Sequence, residues 1–210
     1  IALETDPDAA IALSLVLLSA AGMLTAALQN LEKQRFGFEQ DGRLVVAMNP
    51  KLGGYRAGQL SPLYRRIHDS VAGIPGVTSV ALCLYSPPRA GWGSGVWVDG
   101  QLAQDPRQDN SSAWNRVTPE YFEAIGTPIL KGRAISDQDT STSRKVAVVS
   151  EAFARKFFGD ADPIGKQLQF GGMDGDLHLL QVVGVAADVH DDALDAQPRP
   201  MVYVDYRQRP

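Results

Sequence analysis

The chain has 210 residues and a mass of 22.6 kDa, enough for one large domain or two small ones. Hydrophobic residues at 44% and charged residues at 21% match globular averages and exclude a wholly disordered or collagen-like chain. Twenty basic residues against twenty-four acidic ones (net charge −4) leave no surplus for phosphates, which argues against nucleic acid as a partner. A single cysteine, Cys83, excludes an intrachain disulfide and a cysteine-built zinc site. A start at Ile1 rather than Met is expected of a piece of a longer chain.

The first element is an uncharged run of twenty residues, 9–28. As a helix it is about 30 Å long, the thickness of a hydrocarbon core. A signal peptide fits poorly, because Glu4, Asp6 and Asp8 stand where a basic region belongs. A soluble core helix would show a polar stripe, and none begins before Gln29 and Asn30. Residues 1–39 are therefore expected to hold a membrane or membrane-proximal helix and a hinge at Phe36, Gly37 and Phe38.

Beyond the hinge, 43–48 (RLVVAM) reads as a strand and 49–58 as a polar connection. Ser61 followed by Pro62 is a helix-start signal, and Leu63, Ile67, Val71 and Ile74 give one buried stripe. Gly73, Pro75 and Gly76 stop that helix before an apolar strand at 77–85. A strand at 96–98 follows the glycines at 91, 93 and 95, and 101–113 reads as a long exposed loop. Thr118 and Pro119 cap a short helix with Tyr121, Phe122 and Ile125 facing inward, ended by Gly126. An extended stretch at 127–134 leads to a polar loop at 136–144 and a buried strand at 146–149. Ser150 caps a helix carrying Phe153, Ala154, Phe157 and Phe158, closed by Gly159. Strands at 164–170, 177–189 and 201–204 complete the chain. Short helices and strands without regular alternation give an α+β fold with mixed sheets.

Chemistry-bearing patterns are sparse. The densest titratable cluster is Asp188, His190, Asp191 and Asp192, with Asp195 nearby, but its adjacent spacing is poor for a hard cation. It supports one alternative reading, a soluble ligand- or metal-binding module at Asp188, His190 and Asp191. The three histidines share no zinc spacing. Ser94 between Gly93 and Gly95 has no helix after it and is no nucleophile elbow. No catalytic, cofactor or metal residue is assigned. Trp92, Trp97 and Trp114, large aromatics beside polar loops, are the interface candidates.

The order of the pieces carries a resemblance. The run NRVTPEYFEAIGTPILKGR at 115–133 is followed by DQD at 137–139, VAVV at 146–149 and SEAFARKFF at 150–158. DPIGK at 162–166, VVGV at 182–185, DVH at 188–190 and PMVYV at 200–204 come after. The 63–74 helix with PGV at 75–77, and LQNL at 28–31 before FGF at 36–38, fit the same order. Over roughly residues 12–206 the chain resembles the MacB-like periplasmic core domain of bacterial ABC-transporter permeases of the MacB/FtsX type. It is most similar to the duplicated permeases.

The resemblance implies a porter-like βαβ subdomain at 40–113, completed by return strands at 176–210, and an inserted, smaller, sabre-like α+β subdomain at 114–175. It implies a non-catalytic part of a permease in the bacterial inner membrane, facing the periplasm, with lipid around its N-terminal helix. The implied partners are a cytoplasmic ABC ATPase, a second permease copy or duplicated half, and a periplasmic protein. Such permeases carry no nucleotide site, and this chain has no Walker A sequence.

Deleting residues 1–35 should leave a folded and more soluble remainder. A truncated protein that no longer melts cooperatively would place the apolar helix in the globular core instead.

Overall fold

The computed structural model describes residues 7–32, 36–39, 41–87, 92–98, 109–170, 179–190 and 197–208. Helix α1 (Pro7–Glu32) runs through the whole apolar stretch and belongs to a unit separate from the one that starts at Phe36. Within it, Ile11–Gln29 is long and apolar enough to cross a membrane. Leucines point outward on every side, Leu18 being 75% exposed. The hydroxyls of Ser19 and Thr25 donate to the carbonyls of Leu15 and Ala21 (2.8 Å each), so neither is left unpaired in an apolar medium.

In the second unit the elements follow as α2 (Ala57–Ala72), β1 (Trp92–Val98), β2 (Ser111–Val117), α3 (Tyr121–Ile125), β3 (Ile129–Gly132) and β4 (Val146–Ser150). Helix α4 (Glu151–Phe158), β5 (Gln167–Phe170), β6 (Leu180–Ala186) and β7 (Met201–Asp205) complete it. The fold is α+β with a mixed sheet, ordered β3-β6-β4-β7-β2-β1-β5. Strands β2 and β7, and β4 and β6, run parallel; the other pairs are antiparallel.

The sheet closes on itself. Strand β5 pairs with β1 on one side and with β6 on the other, at Gln167↔Gln181 and Leu168↔Leu180. A ring β6-β4-β7-β2-β1-β5 results, with β3 added on β6. Because side chains alternate across a strand, the ring has an inner and an outer face. All six ring strands feed one apolar cluster: Val96, Val98, Ala147, Val149, Leu168, Leu180, Val182, Val202 and Val204, with Trp114 packed against it. The alternate residues Ala113, Val117, Val148, Met201 and Tyr203 form a second cluster with Tyr121 and Phe122 of α3.

The local signals for α4 hold. The Ser150 Oγ accepts Phe153 N–H (3.1 Å) as the N-cap and also Met201 N–H (3.0 Å), tying the helix start to β7. Phe153 is fully buried in the inner cluster, while Phe157 and Phe158 are half-buried beside it.

Several expectations need correction. Residues 43–48 form no strand and pair with none among the described residues, and Leu44 is 88% exposed. A β-propensity run becomes a strand only when another edge takes its hydrogen bonds. Helix α2 starts four residues before Ser61, because Gln59 Oε1 accepts Arg56 N–H (2.9 Å) and caps it there. Pro62 then lies inside the helix, and the stripe of Leu63, Ile67 and Val71 is half-buried rather than buried. Of 77–85 only the end is paired, through the Cys83↔Val117 bridge and Leu84 N–H to Arg116 O (3.0 Å).

At the other end of the expected loop, Ser111, Ser112 and Ala113 belong to β2, and the last two are buried; 101–108 lie outside the described residues. Strand β1 begins at Trp92 and so includes Gly93 and Gly95. Thr118 does not cap α3; its hydroxyl accepts Leu82 N–H (3.1 Å). Strand β2 spans position 113/114, and the ring takes strands from 40–113, 114–175 and 176–210.

Phe153→Ala should cost about 3–5 kcal/mol. Phe157→Ala should cost less, since its ring already meets solvent. Denaturant melts of both variants check the order; equal losses would mean that Phe157 carries as much of the core.

Candidate functional site

Three groups of side chains lie where function was expected. The first is the acidic turn after β6. The Asp188 carboxylate accepts Ala152 N–H (2.6 Å) and pairs with Arg155 (2.7 Å), so it is spent on the start of α4. Its anionic charge also complements the positive end of that helix. His190 donates its backbone N–H to Phe36 O (2.9 Å), and its Nδ1 is buried without a hydrogen-bond partner among the described residues. Asp191 and Asp192 lie outside the described residues. Among the described residues no cluster of three metal-type side chains forms.

The second group is the tryptophans. Trp92 and Trp114 are cross-strand partners in β1 and β2. Trp114 packs half-buried on the inner cluster with the Arg116 guanidinium 4.9 Å above its ring. Trp97 alternates with the inward Val96 and Val98, so it projects from the outer face, half-buried across from Gln169. The ring therefore brings Trp92 and Trp114 together and leaves Trp97 apart.

The third group was not read as a unit from the sequence. The carboxylate of Asp139 accepts both Arg133 nitrogens (2.7 and 2.9 Å) and Ser136 N–H (2.8 Å). Burial pushes its pKa up, but these hydrogen bonds outweigh burial and hold it below the ordinary carboxylate value. Arg207 binds the fully buried Asp205 carboxylate (2.7 Å), Asp137 (3.0 Å) and Ser136 O (3.0 Å). The buried Gln208 accepts Val146 N–H (2.9 Å) and donates to Thr140 O and Arg144 O (3.0 Å each). These contacts hold the 136–144 loop against the end of β7. The only sequence signal was the run of polar residues directly after β7, where a chain normally turns into solvent.

These three groups form no catalytic constellation among the described residues. The sequence matches the family of MacB-like periplasmic core domains over residues 9–209. The chain belongs to that family. Solved structures similar to this domain include the periplasmic region of MacB from Actinobacillus actinomycetemcomitans, at 17% identity and TM-score 0.47 over 73% of this chain and 62% of that one. The extracellular domain of the noncanonic ABC-type transporter YknZ from Gram-positive bacteria is 18% identical, with TM-score 0.45 over 67% and 61% of the two chains. A permease-protein domain from Porphyromonas gingivalis is 18% identical, with TM-score 0.44 over 68% and 56%. The domain thus spans about three-fifths of the length of these structures. No curated protein matches the chain.

Cys83 sits half-buried beside β2, and burial pushes its thiol from 9.0 up to about 11. Two pH units correspond to about a hundredfold less thiolate below pH 9. Alkylation at pH 8 should therefore be far slower than that of a free thiol and accelerate until about pH 11. The neutral thiol is favoured in the folded state, so its share of stability is complete below pH 9 and lost as the pH rises through 11. Rapid labelling at pH 8 would contradict this.

Proposed function

We propose that this domain is the periplasm-facing part of an ABC-transporter permease in the bacterial inner membrane. It does no chemistry itself and couples ATP hydrolysis by a cytoplasmic ATPase to work on the outer side, as export or as mechanical signalling. The observation that carries the reading is the family match from residue 9 onward, which includes an apolar helix with outward-facing leucines on every side. Such a helix needs lipid or protein around it. A closed ring with a pinned polar loop suits a body that transmits movement rather than one that encloses a substrate.

The partners in this reading are the ATPase, a second permease copy or duplicated half, and a periplasmic protein. Of the tryptophans, Trp97 on the outer face is the best placed to meet one, while Trp114 packs on the inner cluster and Trp92 is its cross-strand partner. The alternative, a ligand site at Asp188, His190 and Asp191, is weakened because Asp188 is already bound to α4.

The topology can be tested with Gln138→Cys, which puts a thiol at an exposed position of the 136–144 loop, with the wild type as the control for slow labelling of Cys83. A membrane-impermeant maleimide should label it in intact spheroplasts. Labelling only after lysis would put the domain on the wrong side of the membrane for this reading.

A further inference from the structure

The sequence reads Phe36, Gly37 and Phe38 as a hinge, but Phe36, Gly37, Glu39 and Arg43 each hydrogen-bond to residues far along the chain. Phe36 O accepts His190 N–H (2.9 Å), and Gly37 O accepts the hydroxyl of the buried Thr127 (2.7 Å). Glu39 N–H donates to Ile125 O (2.9 Å), and Arg43 Nε to Ala124 O (2.6 Å), with Glu39 and Arg43 paired at 3.6 Å. These acceptors are the carbonyls at the end of α3, which no intrahelical donor satisfies.

Two glycines make the fit. Gly37 has φ +78°, and a Cβ there would lie 1.8 Å from Asp188 O. Gly126, which ends α3 at φ +69°, would put a Cβ 2.7 Å from Glu39 Cγ. At Gly37 backbone can approach the Asp188 backbone this closely only without a side chain, and at Gly126 the open space is taken by the Glu39 and Arg43 side chains. The seat continues inward, because Asp188 also binds Ala152 N–H and Arg155 of α4, whose Phe153 fills the ring.

We infer that residues 36–39 and 41–43 form a strap through which movement of the membrane helix enters the ring, with Gly37 as its positioning residue. This rests on the permease reading above. A coupling path needs contiguous stiff contacts, and here they run from Gly37 to Asp188, to α4 and into the core. A free glycine hinge would absorb the same displacement.

The test uses the full-length permease with its ATPase in nanodiscs, followed by amide hydrogen exchange with and without ATP plus vanadate. In the wild type, the Glu39 and His190 amides should be protected, and nucleotide should change exchange in β4 and β7. In Gly37→Val those two amides should exchange at least tenfold faster while β4 stays protected without nucleotide. The nucleotide-dependent change should vanish although ATP hydrolysis persists. Thr127→Val, nearly isosteric, should weaken the response in the same direction and decides the matter if Gly37→Val does not fold. A response that survives in both variants overturns the strap alone. A wild-type complex whose ring ignores nucleotide overturns the coupling reading and the transmitting role with it, while unprotected Glu39 and His190 amides would overturn the strap as a structure.

Discussion

The short strand β5 holds the ring closed, and the inner core depends on that closure. Its four residues reach β1 through Val96↔Phe170 and β6 through Leu168↔Leu180. The seam extends past the strand, since Val182 N–H donates to Lys166 O and Gly165 N–H to Val182 O. Without it, β1 and the Leu180–Gln181 start of β6 would offer open edges, and edges invite pairing with other chains. Closure instead turns the alternate residues of six strands toward one another, which is why Leu168, Leu180, Val182 and Val202 can all be fully buried in a domain this small.

What was legible in the sequence was what is local. The strand β4 with Ser150 and α4 could be read because the cap, the apolar run and the closing glycine are neighbours in the chain. Tyr121 and Phe122 of α3 were legible for the same reason. Ring closure was not, because β1 meets β5 across some seventy residues and neither strand's pattern names its partner. The run 43–48 shows the converse: its β-branched residues read as a strand, yet nothing described lies against its edge. The mixture of short helices and strands gave the fold class but not the register or the strand order.

The polar residues at the end of β7 show what composition leaves out about loops. Residues 136–144 are rich in Ser, Thr, Asp and Gln, and most of them are exposed, as that mixture implies. Asp205 is fully buried, however, and a carboxylate out of water must find charge and hydrogen bonds. Arg207 supplies both and spends its remaining donors on Ser136 O and Asp137, so the loop is drawn in as a consequence of burying one acid. Because Arg207 is so firmly held, its affinity for its proton rises further above that of a free guanidinium. No periodicity in the sequence signals this, since the interaction joins residues some seventy positions apart.

Gly37 is the clearest case of one residue type with two opposite physical uses. A glycine between two aromatic residues reads as freedom, because it loses the most conformational entropy when fixed. The same lack of a Cβ also allows the closest approach of backbone to backbone, and the contact with Asp188 uses this second property. The entropy lost at Gly37 must then be offset by the bonds around it, and Thr127, His190 and Ile125 provide them. What holds the entry to the ring is therefore the surfaces the segment lies on, not its own residues: a stretch that looks like a hinge in one dimension is hydrogen-bonded to Thr127, His190 and Ile125 in three.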